Sequence, residues 1–170
     1  LIAERLGMIS ARQMFWAGVR AELPLLLGVI PFGAIYGVLG LQAGMPTWLV
    51  FAMSSVVFAG SSQFIIAKMV QIASPFLTIL ATAVIVNVRH ALYSASLAPY
   101  LRHLRSGWKW LLAYLLTDEA YAVAVRKYHD DSPNELKHWY FLGAGLTLWT
   151  SWQLSTLLGI VLGAAIPDSW

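Results

Sequence analysis

The sequence predicts an all-α, polytopic membrane bundle, and three observations carry that expectation. Hydrophobic residues make up 59% of the 170 and charged residues only 11%, against roughly 45–50% and ~25% in ordinary soluble chains. So few charges cannot cover the surface of a soluble domain of this size. The apolar residues also gather into five runs, each near the ~20 residues a helix needs to cross hydrocarbon: about Leu23–Leu41, Trp48–Ile72, Phe76–Leu101, Trp110–Tyr128 and Trp139–Ile166. Between them lie breaks with turn chemistry, at Gly44-Met45-Pro46, Ser74-Pro75, Arg105-Ser106-Gly107 and the polar loop Asp130-Asp131-Ser132-Pro133-Asn134. The same composition argues against intrinsic disorder. A net charge of only +3, with basic residues scattered rather than clustered, argues against nucleic-acid binding. Without cysteine there is no disulfide framework or thiolate metal site, and neither a metal nor another cofactor is expected.

Residues 1–170 read as a single transmembrane domain. Within it, 1–22 read as an N-terminal tail or an interfacial helix. Ile2, Leu6 and Ile9 recur at helical spacing. Glu4, Arg5, Arg12, Arg20 and Glu22 leave no unbroken signal-peptide core. The chain starts at Leu1 and stops at Pro167-Asp168-Ser169-Trp170, just past an apolar run, which reads as a fragment. Five crossings with a cytoplasmic N-terminus put Arg5, Arg12, Arg20, Lys68, Arg126, Lys127 and Lys137 inside and Arg102, Arg105 and Lys109 outside. That bias favours N-inside, and one re-entrant span would reverse the assignment beyond it. Trp48, Trp108, Trp110, Trp139 and Tyr140 sit at span ends, as in aromatic belts.

In the first span Pro31 lacks a backbone donor and should kink or break the helix. Gly33 and Gly37 allow close approach of another helix. Two readings stand: simple packing, or a discontinuous helix whose freed backbone groups line a site. The second span is interrupted by Ala59-Gly60-Ser61-Ser62-Gln63-Phe64. Gln63 so deep in an apolar run requires hydrogen-bond partners. A continuous helix would put Ser54, Ser61 and Lys68 on one face, whereas a break at Gly60 would offer backbone amides to a ligand.

The third span carries Asn87, His90 and Ser94 on one stripe and Thr78, Thr82, Arg89, Tyr93, Ser96 and Tyr100 on a second. Leu80, Val84, Val88, Ala91 and Ala95 line an apolar side. Such a polar face should look into protein or a wet cavity. Arg89 cannot shed its proton and needs a partner. Asp118 or Glu119 of the fourth span, at similar depth, is the expected one, and these acids with His90 are the candidate proton carriers. The alternative is a static ion pair that only orders the bundle. The fifth span carries Thr147, Thr150, Ser151, Trp152 and Gln153, and a second small-residue pair, Gly159 and Gly163, best explained by packing.

Four motifs occur in order. They are Pro31-Phe32-Gly33, Val57-Phe58-Ala59-Gly60-Ser61-Ser62-Gln63-Phe64, Asn87-Val88-Arg89-His90-Ala91-Leu92-Tyr93-Ser94-Ala95-Ser96-Leu97-Ala98-Pro99, and Thr117-Asp118-Glu119. Together they resemble the AzlC family, the large subunit of branched-chain amino acid exporters. The resemblance runs from about Pro24 to Pro167. It implies a bacterial inner-membrane permease working with a small hydrophobic AzlD-type subunit. It also implies efflux of leucine, isoleucine, valine and sometimes methionine, driven by the proton motive force. The family supplies no catalytic residues to carry over. On the physical reading, substrate binding falls to Gly60, Ser61, Ser62, Gln63, Asn87 and Arg89, and proton coupling or ion pairing to His90, Arg89, Asp118 and Glu119. Rival readings are an intramembrane hydrolase using Ser61 or Ser62 with His90, and a passive channel or structural subunit. The oligomeric state stays open.

Overall fold

The computed structural model describes residues 10–129 and 136–165. The polar loop at Asp130–Asn134, the apolar positions Ile2, Leu6 and Ile9, and the chain end at Pro167 lie outside the described residues. Among the described residues every regular element is a helix. In chain order, α1 is Ala11–Glu22, α2 Leu26–Gln42, α3 Thr47–Val56, α4 Gly60–Gln71, α5 Phe76–Leu101, α6 Ser106–Tyr114, α7 Asp118–His129 and α8 Lys137–Ala164. A single 3-10 turn, Leu23–Leu25, joins α1 to α2. Three stretches, Ala11–Gln42, Phe76–Leu101 and Lys137–Ala164, are long and apolar enough to cross a membrane, and Thr47–Val56 is a shorter apolar helix.

Local chemistry accounts for the helix ends. Ser10 and Gln13 form a capping box, Gln13 N–H donating to Ser10 Oγ at 3.2 Å and Ser10 N–H to Gln13 Oε1 at 2.8 Å. α2 stops where Gly44 takes φ +75°, with Met45 N–H reaching back to the Gly40 carbonyl. α2 runs on through Pro31. The proline therefore removes one backbone hydrogen bond without breaking the helix, as membrane helices tolerate. The second span does break. Phe58 turns left-handed at φ 40° between α3 and α4, so Ser54 does not continue the face of Ser61 and Lys68. The fourth span breaks too, at 115–117, which the apolar run did not reveal. There Thr117 Oγ1 accepts from Ala120 N–H at 3.3 Å and starts α7. The first turn of α7 holds Asp118 and Glu119 and its last turn Arg126, Lys127 and His129, matching the helix dipole at both ends.

The chain forms two compact units: 1–24 with 93–148, and 25–92 with 149–170. In the first, α1 lies close on α8. A Cβ at Gly18 would strike the Tyr140 carbonyl, and one at Gly143 the Phe15 carbonyl. Met14, Leu112, Leu115 and Phe141 form its buried centre. In the second, the glycine pairs of α2 and α8 are each used in packing. Gly33 faces Ser155, Gly37 faces the Thr156 carbonyl, and Gly159 faces the Ala34 carbonyl. The apolar side of α5 is exposed, with Leu80, Val84 and Val88 each about half-exposed or more. Asn87, Arg89, His90 and Tyr93 on its other side are half-buried. Trp48 and Trp110 are strongly exposed near their helix ends.

Candidate functional site

In the 25–92 and 149–170 unit the broken span and the polar span meet. Gly60 opens α4, and a Cβ there would press on the Trp152 ring at 3.1 Å. No side chain caps α4, so the backbone amides of its first turn are left to other partners. On the next two residues, Ser61 Oγ receives Arg89 Nη2 at 3.1 Å and Ser62 Oγ donates to Asn87 Oδ1 at 2.8 Å. His90 Nδ1 lies 3.2 Å from the Asn87 carbonyl of its own helix. Five residues singled out in the sequence, Gly60, Ser61, Ser62, Asn87 and Arg89, therefore gather at one helix start. Ser62 is fully buried and commits its proton to Asn87, which leaves it poorly placed as a nucleophile activated by His90. Asn87 also lines an open apolar groove of about 600 Å³ whose walls include Met53, Val57, Ile66, Leu80 and Val84.

Gln63 sits one turn in, fully buried, inside a network that fixes its amide. Its Oε1 receives the Trp152 indole N–H at 3.1 Å, and its Nε2 donates to Ser54 Oγ at 3.4 Å. Ser54 Oγ donates on to Thr156 Oγ1 at 2.9 Å. Gln153 Nε2 donates to the Ser54 carbonyl at 3.0 Å, and Gln153 Oε1 receives Ser55 Oγ at 3.0 Å. Tyr36 stacks on Trp152 and donates to the Val50 carbonyl at 3.1 Å. Gln63 thus fastens α4 to α3 and α8, the role of interhelical hydrogen bonding. Gln63→Leu strands the Trp152 N–H and is expected to cost about 1–3 kcal/mol. A double-mutant cycle with Trp152→Phe, read by thermal unfolding in detergent, should show less than additive loss. Full additivity would mean that this bond contributes nothing.

The other unit holds the acids. Tyr93 Oη donates to Asp118 Oδ1 at 2.8 Å, the Tyr93 and Tyr121 rings stack at 4.3 Å, and Tyr121 Oη donates to Ser96 Oγ at 3.0 Å. Tyr100 packs on Tyr128 and His129. The second stripe of α5 from Tyr93 onward therefore faces the polar side of α7. Glu119, half-buried, is within electrostatic reach of Glu22 on α1. Among the described residues no three His, Cys, Asp or Glu side chains are grouped to hold a metal ion.

The sequence model of the AzlC protein family matches residues 24–166, nearly the whole of this arrangement. The chain belongs to the AzlC family. It is 28% identical over 157 residues to the inner membrane protein YgaZ of Escherichia coli, covering 92% of this chain and 64% of that protein. It is 26% identical over 164 residues to the branched-chain amino acid transport protein AzlC of Bacillus subtilis, covering 93% of this chain and 63% of that one. An uncharacterized membrane protein of Archaeoglobus fulgidus is 28% identical over 158 residues, covering 93% of this chain and 67% of its own. The chain thus spans a little under two thirds of the length of the first and second of these relatives. No solved structure matches.

Several participants in the network of this AzlC-family chain carry little signal in the sequence. Trp152 and Gln153 stood without a role, although both polar atoms were visible inside an apolar run. Thr156 and Tyr36 carry no local signal, and Ser54, grouped by spacing with Ser61 and Lys68, bonds instead to Thr156 and Gln153, far away in sequence. Glu22 belongs by sequence to the charged N-terminal stretch, yet it is fully buried. Its signal was present: Met14, Gly18 and Glu22 recur every four residues and form one helix stripe.

Proposed function

We propose that the chain is the helical core of an amino-acid exporter of the inner membrane, N-terminus cytoplasmic, moving branched-chain or related neutral amino acids outward at the expense of a proton gradient. The supporting observation is that Asn87 joins two chemically different surfaces. On one side stand the start of α4, Ser61, Ser62 and Arg89; on the other is the apolar groove. A helix start with a guanidinium suits a carboxylate, and an apolar wall suits a leucine, isoleucine, valine or methionine side chain. The name of the Bacillus subtilis relative agrees with that substrate class. A small AzlD-type subunit is the expected partner. An apolar wall alone separates such side chains weakly, so a range of substrates is expected rather than one.

The test is efflux of preloaded labelled leucine from cells making the full-length protein, with and without the small subunit and with and without a protonophore. Efflux that needs both subunits and collapses with the protonophore is the expected result. Efflux unaffected by the protonophore would remove the proton-driven reading. No leucine movement in any arm would remove the substrate assignment.

A further inference from the structure

Glu22 closes α1 at the inner end of the stripe formed with Met14 and Gly18. Its side chain is fully buried, and neither carboxyl oxygen has a hydrogen-bond partner among the described residues. Polar side chains buried in the other unit are held differently: Ser54, Ser62, Gln63 and Gln153 are all bonded. The groups that face Glu22 come from the two helices packed on α1. From α7 comes Glu119, an acid. From α8 comes Tyr140, itself influenced by Arg126 of α7. Gly18, one turn before Glu22, lies against the Tyr140 carbonyl, so this corner is closed by backbone.

An ionised carboxylate needs donors or a counter-charge when water is withdrawn. Here no described residue donates to the carboxyl, and another acid stands near it. We propose that Glu22 is a proton-binding site of this protein. The carboxyl holds its proton while α1, α7 and α8 are packed together. It passes that proton to water or to the Glu119 carboxylate when the packing loosens. The step moves one proton and makes or breaks no other bond. Its role as the coupling site rests on the proton-driven export proposed above.

The decisive measurement is infrared difference spectroscopy on the full-length protein with its small subunit in liposomes at neutral pH. Wild type is expected to show the carbonyl stretch of a protonated carboxylic acid, which Glu22→Gln removes and Glu119→Gln leaves in place. An identical band in wild type and Glu22→Gln overturns the proposal. Glu22→Asp should shift the band rather than remove it, and decides the matter if the glutamine variant fails to assemble. Leucine movement driven by an imposed pH gradient separates this proposal from the functional one. If wild type responds to the gradient, Glu22→Gln is expected to lose that response, and an intact response overturns the coupling role. If wild type moves no leucine at all, the exporter reading falls while the infrared result still decides whether Glu22 binds a proton.

Discussion

Arg89→Leu is expected to remove leucine transport almost entirely. Arg89 donates to Ser61 beside the open start of α4, in a half-buried position on an apolar helix. On the function proposed above, the guanidinium there receives the substrate carboxylate with little competition from water. Truncating one partner of a desolvated charged contact costs about 2–5 kcal/mol. That corresponds to roughly a 30-fold to few-thousand-fold loss in affinity. Arg89→Lys keeps the charge but loses the planar fork, so it should fall between the two. Counterflow of labelled leucine over a range of concentrations gives the half-saturation constant. A variant with leucine that keeps the wild-type value would show that Arg89 does not hold substrate.

The second large effect concerns packing. Gly159 of α8 and Gly37 of α2 each face the other helix's backbone, and no flexible side chain stands between them to give way. Gly159→Leu therefore has to push two helices apart, at an expected cost of about 3 kcal/mol or more. The purified variant should aggregate or unfold well below wild type in a thermal melt. Gly28→Leu is the control, because open space surrounds a Cβ at that position. Equal melting of both variants would mean that the α2–α8 contact is not a source of stability.

Much of the fold was legible because apolar run length and turn chemistry act locally. Gly44 and Pro46 end and restart helices through their own backbone geometry. The break before Gly60 was legible for the same reason, since a glycine and two serines interrupt an apolar run. The break at 115–117 was not. Leu115 and Leu116 are apolar residues that suit a continuous helix equally well, and only their buried surroundings set the turn. Pro31 shows the reverse case, a strong local breaker that the helix runs through. At the site, residues within one motif were found from their spacing. Gln63 with Trp152 could not be, because the bond joins positions far apart in the chain and spacing carries no information about it.

The unit that encloses Glu22 is assembled from two distant stretches, 1–24 and 93–148. This has a consequence for how the protein is made. α7 is only twelve residues long and carries Asp118, Glu119, Arg126, Lys127 and His129. At about 1.5 Å per residue it is too short to span the bilayer, and each charge opposes partition into lipid. It cannot enter the membrane on its own hydrophobicity. α1 and the end of α5 leave the ribosome earlier and offer the surface that receives it, α5 through Tyr93 and Ser96. The place of α7 in the fold thus depends on docking onto parts of the chain made before it. Until α7 and then α8 arrive, Glu22 waits with its carboxyl uncovered.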